Sequence, residues 1–442
     1  MKKHPIIFGT CILALANVST RIIGFFFRIY LSRTFGATQI GIMGLTTPVS
    51  AIVGALTCAG IQTGISKCVA EVAVKKSNQK HLYLCYGLLL SLSISCICSI
   101  VVYTFCDTIA VYFLSEIRTS PLLRVLSLTY IPSALHACLN GYFMGQKRSK
   151  IPALSQFVEQ SVRVLAVITM CQSYIYNGLE PPLVLTAWGL LIGEIGAIIL
   201  SLIGFHSKSS VKQTAKHLVE HPSNQPTPPL KNLLSMSIPL TANRLVLNFL
   251  LSIEAIRIPL MLQVYGLSSD DSLTIYGILT GIALPVILFP SSLTGALSAM
   301  LLPTISEANS NGDREKIKTV TVNASFLMLF MGVFFGLIFF MFSDLIGTHI
   351  FGEPLAASYI KTLCLLCPFM YMNVIFSGIL QGLGQVMDVF FINTSSLFIR
   401  LCFIFFAIPI LGIQGYFIGV LISQLYSSVL LIRKCITTNL LA

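Results

Sequence analysis

The sequence predicts an all-α polytopic membrane protein with about twelve transmembrane helices in two six-helix pseudo-repeats. Only 10% of its residues are charged and 55% are hydrophobic, whereas soluble domains carry about 25% charged residues. Apolar runs long enough to cross a hydrocarbon core of about 30 Å recur along the whole chain. Motifs in the first half also reappear at a fixed offset in the second half. Together these features predict helices rather than the short alternating segments of a barrel.

Each predicted span is an apolar run bounded by charged, glycine-rich or proline-rich residues. The predicted spans cover roughly 5–32, 38–64, 82–106, 120–145, 151–175, 181–205, 232–262, 273–303, 319–346, 355–382, 388–410 and 413–434.

The loops and span ends alternate in charge, which predicts the orientation of the chain. One side carries 18 Lys and Arg residues, from Lys2 and Lys3 to Arg433 and Lys434, and the other carries only Arg33, Arg118 and Lys361. Basic loops stay on the cytoplasmic side of a membrane. The sequence therefore predicts a multi-pass membrane protein with both termini cytoplasmic.

A polar segment divides the predicted spans into two groups of six. Residues 206–231 contain Lys, His, Ser and four prolines and lack an apolar run. We therefore predict an N-terminal lobe at 1–205, a cytoplasmic linker at 206–231 and a C-terminal lobe at 232–442.

The two predicted lobes share a pattern of special residues at an offset of 237. In each lobe a Gly-x-x-x-Gly pair is followed 18 residues later by an arginine, and such a period indicates repeats. Small-residue pairs let membrane helices approach closely, so we interpret the glycines as packing positions. The matched positions are Gly141 and Gly378, Gly145 and Gly382, Arg163 and Arg400, Pro48 and Pro285, and Thr57 and Thr294.

Seven arginines lie inside predicted spans, and they are the main indication of function. A charge near the bilayer centre costs roughly 2.5–3.5 kcal/mol on insertion scales, so such residues usually face protein or a wet cavity. Acidic residues in the spans are fewer, namely Glu159, Glu194 and Glu254. The interior is therefore predicted to be cationic and to suit an anionic substrate. The arginines are Arg21, Arg28, Arg124, Arg163, Arg244, Arg257 and Arg400.

Arg21, Gly24 and Arg28 follow one another at i, i+3 and i+7 and so share one helical face. The first span thus presents two guanidinium groups in a stripe. The alternative is snorkelling of their long side chains to the membrane interface. We predict that Arg21 and Arg28 bind substrate.

Two arginines have an acidic neighbour on the same helix. Glu159 and Arg163 stand at i, i+4, and Glu254 and Arg257 at i, i+3. Each pair can neutralise itself and so lower the insertion cost. Arg163 nevertheless remains a candidate for substrate binding.

Arg244 and Arg400 have no acidic residue within one helical turn. They are therefore the better candidates for binding an anion. The predicted substrate-binding residues are thus Arg21, Arg28, Arg163, Arg244 and Arg400. Arg124 lies near the outer end of its span and is predicted to be interfacial.

Oxygen-bearing side chains in the second half form a second candidate group. Asn373, Asp388, Asn393 and Thr394 could couple transport to Na⁺ or protons together with Glu254. Helix capping and ordinary interhelical hydrogen bonds are the alternative interpretation.

Enzyme motifs are absent from the sequence. It contains no GxxxxGK[ST], HExxH or GxSxG, and only His136 of its seven histidines falls within a predicted span. We therefore predict no catalytic site, no metal site and no cofactor.

Residues 20–37, TRIIGFFFRIYLSRTFGA, resemble the first helix of the stage V sporulation protein B family. That family belongs to the MATE-like flippase (MOP) superfamily and is related to the lipid II flippases. Further similar segments lie at 59–66, 296–298, 303–307 and 411–416, so that the resemblance covers nearly the whole chain.

The resemblance implies two six-helix lobes around a central cavity, with alternating access, in the bacterial plasma (inner) membrane. It also implies flipping of an undecaprenyl-pyrophosphate-linked sugar, for example a peptidoglycan precursor for the spore cortex. First-helix arginines matching Arg21 and Arg28 serve anion binding in the related flippases. The expected partners are a lipid-linked anionic glycan and membrane lipid, not nucleic acid, and the expected state is a monomer.

Two other functions remain open. One is a multidrug exporter of the same fold. Such exporters usually expel cations, so the predicted cationic interior argues against this function. A membrane scaffold that recruits cell-wall enzymes would need docking surface, and the loops are short.

Overall fold

The computed structural model describes residues 5–74, 80–206 and 229–437, and within these ranges it is helical and contains no β-strand. The α-helices longer than four residues are α1 (Pro5–Gly54), α2 (Gly60–Val74), α3 (Lys80–Thr104), α4 (Ser120–Gly145), α5 (Lys150–Tyr176), α6 (Leu185–His206), α7 (Pro229–Val264), α8 (Ser269–Gly277), α9 (Leu284–Leu288), α10 (Ser291–Ser310), α11 (Arg314–Met341), α12 (Pro354–Leu363), α13 (Cys367–Gly382), α14 (Val386–Phe406) and α15 (Ile413–Thr437).

Eleven helical stretches of the described chain are long and apolar enough to cross a membrane. The first, Ala16–Val72, is 57 residues long and contains most of the first predicted span and all of the second. Gly36 breaks α1 between them, with φ 77° and ψ 168°, a conformation essentially restricted to glycine. The prediction of an all-α polytopic membrane protein with about twelve spans is confirmed.

Interruptions of the α-helical hydrogen bonding recur at matching places in the two halves. Phe105 has φ −103° and ψ 18°, and Phe342, 237 positions later, has φ −103° and ψ 13°. A π-helical turn follows each of them, at Ile109–Phe113 and Leu345–Ile350. The pseudo-repeat that the sequence offset predicted is therefore present in the backbone.

The chain forms two compact units. Unit 1 comprises residues 1–24 and 45–252, and unit 2 comprises residues 25–44 and 253–442. The segment 25–44 thus groups with the C-terminal helices, and the start of α7 groups with the N-terminal ones. The predicted lobe boundaries stay a prediction, and most of the predicted linker lies outside the described residues.

Close packing of α4 on α2 organises the core of unit 1. A Cβ atom on Gly141 would lie 2.5 Å from the carbonyl oxygen of Gln62, so only glycine permits this approach. Around it Ile65, Tyr83 and Phe143 are almost fully buried in one apolar cluster.

Unit 2 repeats this packing with α13 on α10. A Cβ atom on Gly382 would lie 3.0 Å from the carbonyl oxygen of Leu302, and one on Gly378 would meet Ser298. On α11, by contrast, Phe326 is 74% exposed and Phe330 is 60% exposed. Such an apolar surface suits contact with lipid.

Candidate functional site

The two arginines of the first helix fall in different units, so each is described within its own. Arg21 lies in unit 1 and its side chain is exposed. Arg28 lies in unit 2, is also exposed, and its Nη1 donates to the carbonyl oxygen of Thr280 at 3.4 Å. Their role in substrate binding stays a prediction.

Arg400 is part of a buried polar cluster in unit 2. Its Nη2 lies 2.5 Å from Oε2 of Glu254, and the side chains are only 15% and 10% exposed. The hydroxyl of Tyr416 donates to Oε1 of the same carboxylate at 3.0 Å. The expectation that Arg400 lacks an acidic partner is therefore wrong, because α7 supplies one from far away in the sequence.

The prediction that Glu254 and Arg257 neutralise each other on α7 is also wrong. Glu254 is engaged by Arg400 and Tyr416, while the guanidinium of Arg257 lies over the ring of Phe405, 5.7 Å from its centroid. Residues at i and i+3 can meet on a helix, but Arg257 is exposed and Glu254 buried. Arg257 instead makes a cation–π contact.

Arg163 occupies the equivalent position in unit 1 and is half-buried. Its Nη2 donates to Oε1 of Gln160, and the carboxylates of Glu159 and Glu194 interact with it electrostatically. Within the described chain, the buried Nε atoms of Arg163 and Arg400 both lack a hydrogen-bond acceptor. A buried donor without a partner is costly, so each of these N–H groups would be stabilised by donating to an anion.

The remaining in-span arginines lie at more open positions. Arg244 is exposed on the part of α7 that belongs to unit 1. Arg124 is exposed and reaches Cys106 Sγ at 3.3 Å and Asp107 Oδ2 at 3.5 Å. Arg124 thus finds its partners near the end of its own helix.

The candidate ion-coupling residues occupy separate surroundings in unit 2. Asp388 pairs with Lys434 at 3.1 Å, and Asn393 is exposed. Asn373 is buried; its Nδ2 donates to Oε1 of Gln424 at 2.8 Å. The hydrogen bonds and ion pairs described here do not link these groups to Glu254. Their role in ion coupling stays a prediction.

A polar cluster in unit 1 escaped the sequence analysis. Nδ1 of His136 lies 3.0 Å from Oε2 of Glu194, and the hydroxyl of Ser133 donates to Oε1 of Glu194 at 2.7 Å. Nε2 of His136 lies 2.9 Å from Nδ2 of Asn140 and 3.1 Å from Oγ of Ser155.

This cluster opens into a cavity. The cavity has a volume of about 400 Å³, and His136, Glu159, Glu194 and Cys58 are among its lining residues. His136 was the only histidine within a predicted span, and that was the signal available. Its partners on α5 and α6 are too distant in sequence for local spacing to reveal them.

Comparisons with known proteins agree with these features. The family model "Polysaccharide biosynthesis protein" matches residues 6–309, and the MatE model matches residues 250–406. Stage V sporulation protein B of Bacillus subtilis (strain 168) is 28% identical over 393 residues, which cover 88% of this chain and 74% of that protein. Sporulation protein YkvU of the same organism is 23% identical over 396 residues, which cover 88% of this chain and 85% of that protein.

Solved structures share the fold. An inward-facing multidrug resistance MATE family transporter of the MOP superfamily aligns with a TM-score of 0.77 at 16% identity, covering 97% of this chain and 98% of that one. A MOP superfamily transporter from Pyrococcus furiosus Vc1 (DSM3638) aligns with a TM-score of 0.66 at 15% identity, covering 99% of this chain and 96% of that one.

The helical fold and the apolar spans define a polytopic membrane protein that shares its fold with MATE family transporters of the MOP superfamily. The chain belongs to the polysaccharide biosynthesis protein family, whose model matches well over half of it. The resemblance to the stage V sporulation protein B family is thereby confirmed.

Proposed function

We propose that the protein is a flippase that moves a lipid-linked anionic glycan across the bacterial plasma membrane by alternating access. The observation that carries the proposal is the pair of buried Nε–H groups on Arg163 and Arg400, which lack acceptors in the described chain. A pyrophosphate group supplies the oxygen acceptors that such guanidinium groups bind strongly. Lipid tails can stay in the bilayer while the charged headgroup passes.

The substrate class that fits is an undecaprenyl-pyrophosphate-linked sugar. Membership of a polysaccharide biosynthesis family supports a glycan cargo, and the similarity to stage V sporulation protein B supports a role in sporulation. We therefore propose a peptidoglycan precursor for the spore cortex as the cargo. Arg21, Arg28 and Arg244 are further proposed contacts of the anion. The proposed functional state is a monomer with both termini cytoplasmic.

Translocation in proteoliposomes tests the proposal. The probe is a fluorescent undecaprenyl-pyrophosphate disaccharide placed in both leaflets, and a membrane-impermeant reductant bleaches only the outer leaflet. A flippase raises the bleached share from the outer-leaflet fraction to nearly all of the probe. The double variant Arg163→Gln/Arg400→Gln should slow this step, whereas Arg314→Gln, which removes a charge at the exposed start of α11, should leave it unchanged.

The alternatives give distinct results in the same vesicles. Bleaching equal to that of protein-free liposomes would contradict the proposal, and efflux of a cationic dye in its place would indicate a multidrug exporter. A scaffold would move neither probe and would tolerate the arginine variants in cells.

A further inference from the structure

Three helices of unit 1 bring a histidine and two glutamates together. His136 on α4, Glu159 on α5 and Glu194 on α6 each place one ligand atom within 4.8 Å of the others, and His136 is buried. Tetrahedral bonds of about 2.0–2.2 Å place the ligand atoms about 3.3–3.6 Å from one another. Nδ1 of His136 and Oε2 of Glu194 already lie 3.0 Å apart, so a side-chain shift of roughly 1 Å by Glu159 closes the three around one tetrahedral ion.

The surrounding groups fit a metal-bound histidine. A metal-ligating imidazole usually donates its second N–H to a neighbouring oxygen, which fixes its tautomer. Here Oγ of Ser155 lies 3.1 Å from Nε2 of His136 and can accept that N–H. Ser133 likewise holds Glu194 by a hydrogen bond of 2.7 Å, and the adjoining cavity leaves room for water as a further ligand.

The corresponding position of unit 2 shows what packing alone requires. Asn373 stands 237 residues after His136, and its Nδ2 donates to Oε1 of Gln424, on the last helix, at 2.8 Å. Ser428 completes that group by donating to Asn373 Oδ1 at 2.8 Å. Neutral amides thus join the fourth and sixth spans of that half. The histidine and carboxylate of unit 1 are therefore not needed merely to hold two helices together.

The charges around the cluster favour a cation. Glu159 and Glu194 bring two negative charges, and Arg163 is the neighbouring positive side chain. With both carboxylates ionised and the imidazole neutral, the group carries net negative charge, and a partly buried charge without a counter-charge is costly. A bound cation offsets that charge.

The ligand types narrow the choice of ion. Na⁺, Mg²⁺ and Ca²⁺ favour oxygen ligands, whereas a neutral imidazole with carboxylates suits Zn²⁺ and similar first-row ions. We propose that His136, Glu194 and Glu159 form a binding site for a divalent transition-metal ion of the Zn²⁺ type within unit 1. The site does not depend on which substrate the protein transports.

Metal binding by the purified chain in lipid nanodiscs tests the proposal. Wild-type protein should take up one Zn²⁺ per chain in a calorimetric titration, and Co²⁺ should give the absorption of a site with nitrogen and oxygen ligands. The variant His136→Asn/Glu194→Gln copies the neutral pair of unit 2 and keeps all 13 cysteines. It should fold without metal yet bind at least on the order of 100-fold more weakly, since even outer-shell changes cost 10–100-fold.

Two further variants sharpen the test. Arg163→Gln removes the neighbouring positive charge and should tighten metal binding. Asp388→Asn, an acidic residue of unit 2 that pairs with Lys434, should leave it unchanged. Absence of Zn²⁺ uptake by folded wild-type protein would overturn the proposal, as would equal uptake by the His136→Asn/Glu194→Gln variant. Neither result depends on translocation, so failure of this site is distinguishable from failure of the proposed flippase function.

Discussion

In unit 2, Nη2 of Arg400 lies 2.5 Å from Oε2 of Glu254, so one ion pair joins α14 to α7. Tyr416 on α15 binds the other oxygen of the same carboxylate at 3.0 Å. Three helices thus meet at one glutamate. Arg400 therefore stabilises the packing of these helices in addition to its proposed role in binding substrate. Experiments on Arg400 must measure stability as well as transport.

Replacing Arg400 should destabilise the protein as well as slow transport. Arg400→Ala leaves Glu254 buried without its counter-charge, and breaking such a pair costs about 3–5 kcal/mol. We expect a clear drop in the thermal unfolding temperature in detergent. The double variant Arg400→Ala/Glu254→Gln should recover most of the loss, because the stranded charge is gone. A double variant no more stable than Arg400→Ala would show that the pair does not matter.

The close approach of α4 to α2 should make Gly141 intolerant of any side chain. Gly141→Ala places a methyl group against the backbone of Gln62, and overpacking costs about 1–3 kcal/mol. Gly378→Ala should behave similarly in unit 2. Gly54 is helical and has no atom within 4 Å of an added Cβ, so Gly54→Ala should be neutral or stabilising by up to about 1 kcal/mol. Equal melting temperatures for all three would contradict the packing account.

The predicted orientation can be checked with single cysteines at exposed loop positions. Asn311 adjoins the basic start of α11, and Asp270 lies in the acidic first turn of α8. Because basic loops stay cytoplasmic, a cysteine at Asn311 should react only with cytoplasmic reagent and one at Asp270 only with external reagent. Chains cleared of other reactive thiols are needed. Labelling of both from one side would refute the predicted orientation.

Composition and periodicity were enough to predict the helical architecture. Apolar runs indicate spans because a bilayer leaves the backbone few alternatives, and Gly141 with Gly378 revealed the repeat through its offset. The sequence predicted a loop between the first two spans, and the structure has a break at Gly36 in that place. The rest of α1 is helical on both sides of this residue.

The partners of charged residues could not be predicted from the sequence. Local spacing predicted Glu254 with Arg257, whereas tertiary packing pairs Glu254 with Arg400. His136 and Glu194 stand 58 positions apart, and only the packing of α4 on α6 brings them together. Helical periodicity tells which residues share a face but not which other helix that face meets.

The initial rate of probe flipping by the double variant Arg21→Ala/Arg28→Ala, relative to wild type, tests the central claim most directly. A charge-assisted hydrogen bond contributes about 1.5–3 kcal/mol, so each lost anion contact should slow transport roughly 10- to 100-fold, since 1.4 kcal/mol is tenfold. Removing costly charges from a span should not impair insertion, so the variant should reach normal levels in the membrane. The account predicts flipping of the undecaprenyl-pyrophosphate probe near the protein-free background, and wild-type flipping at equal protein content would contradict it.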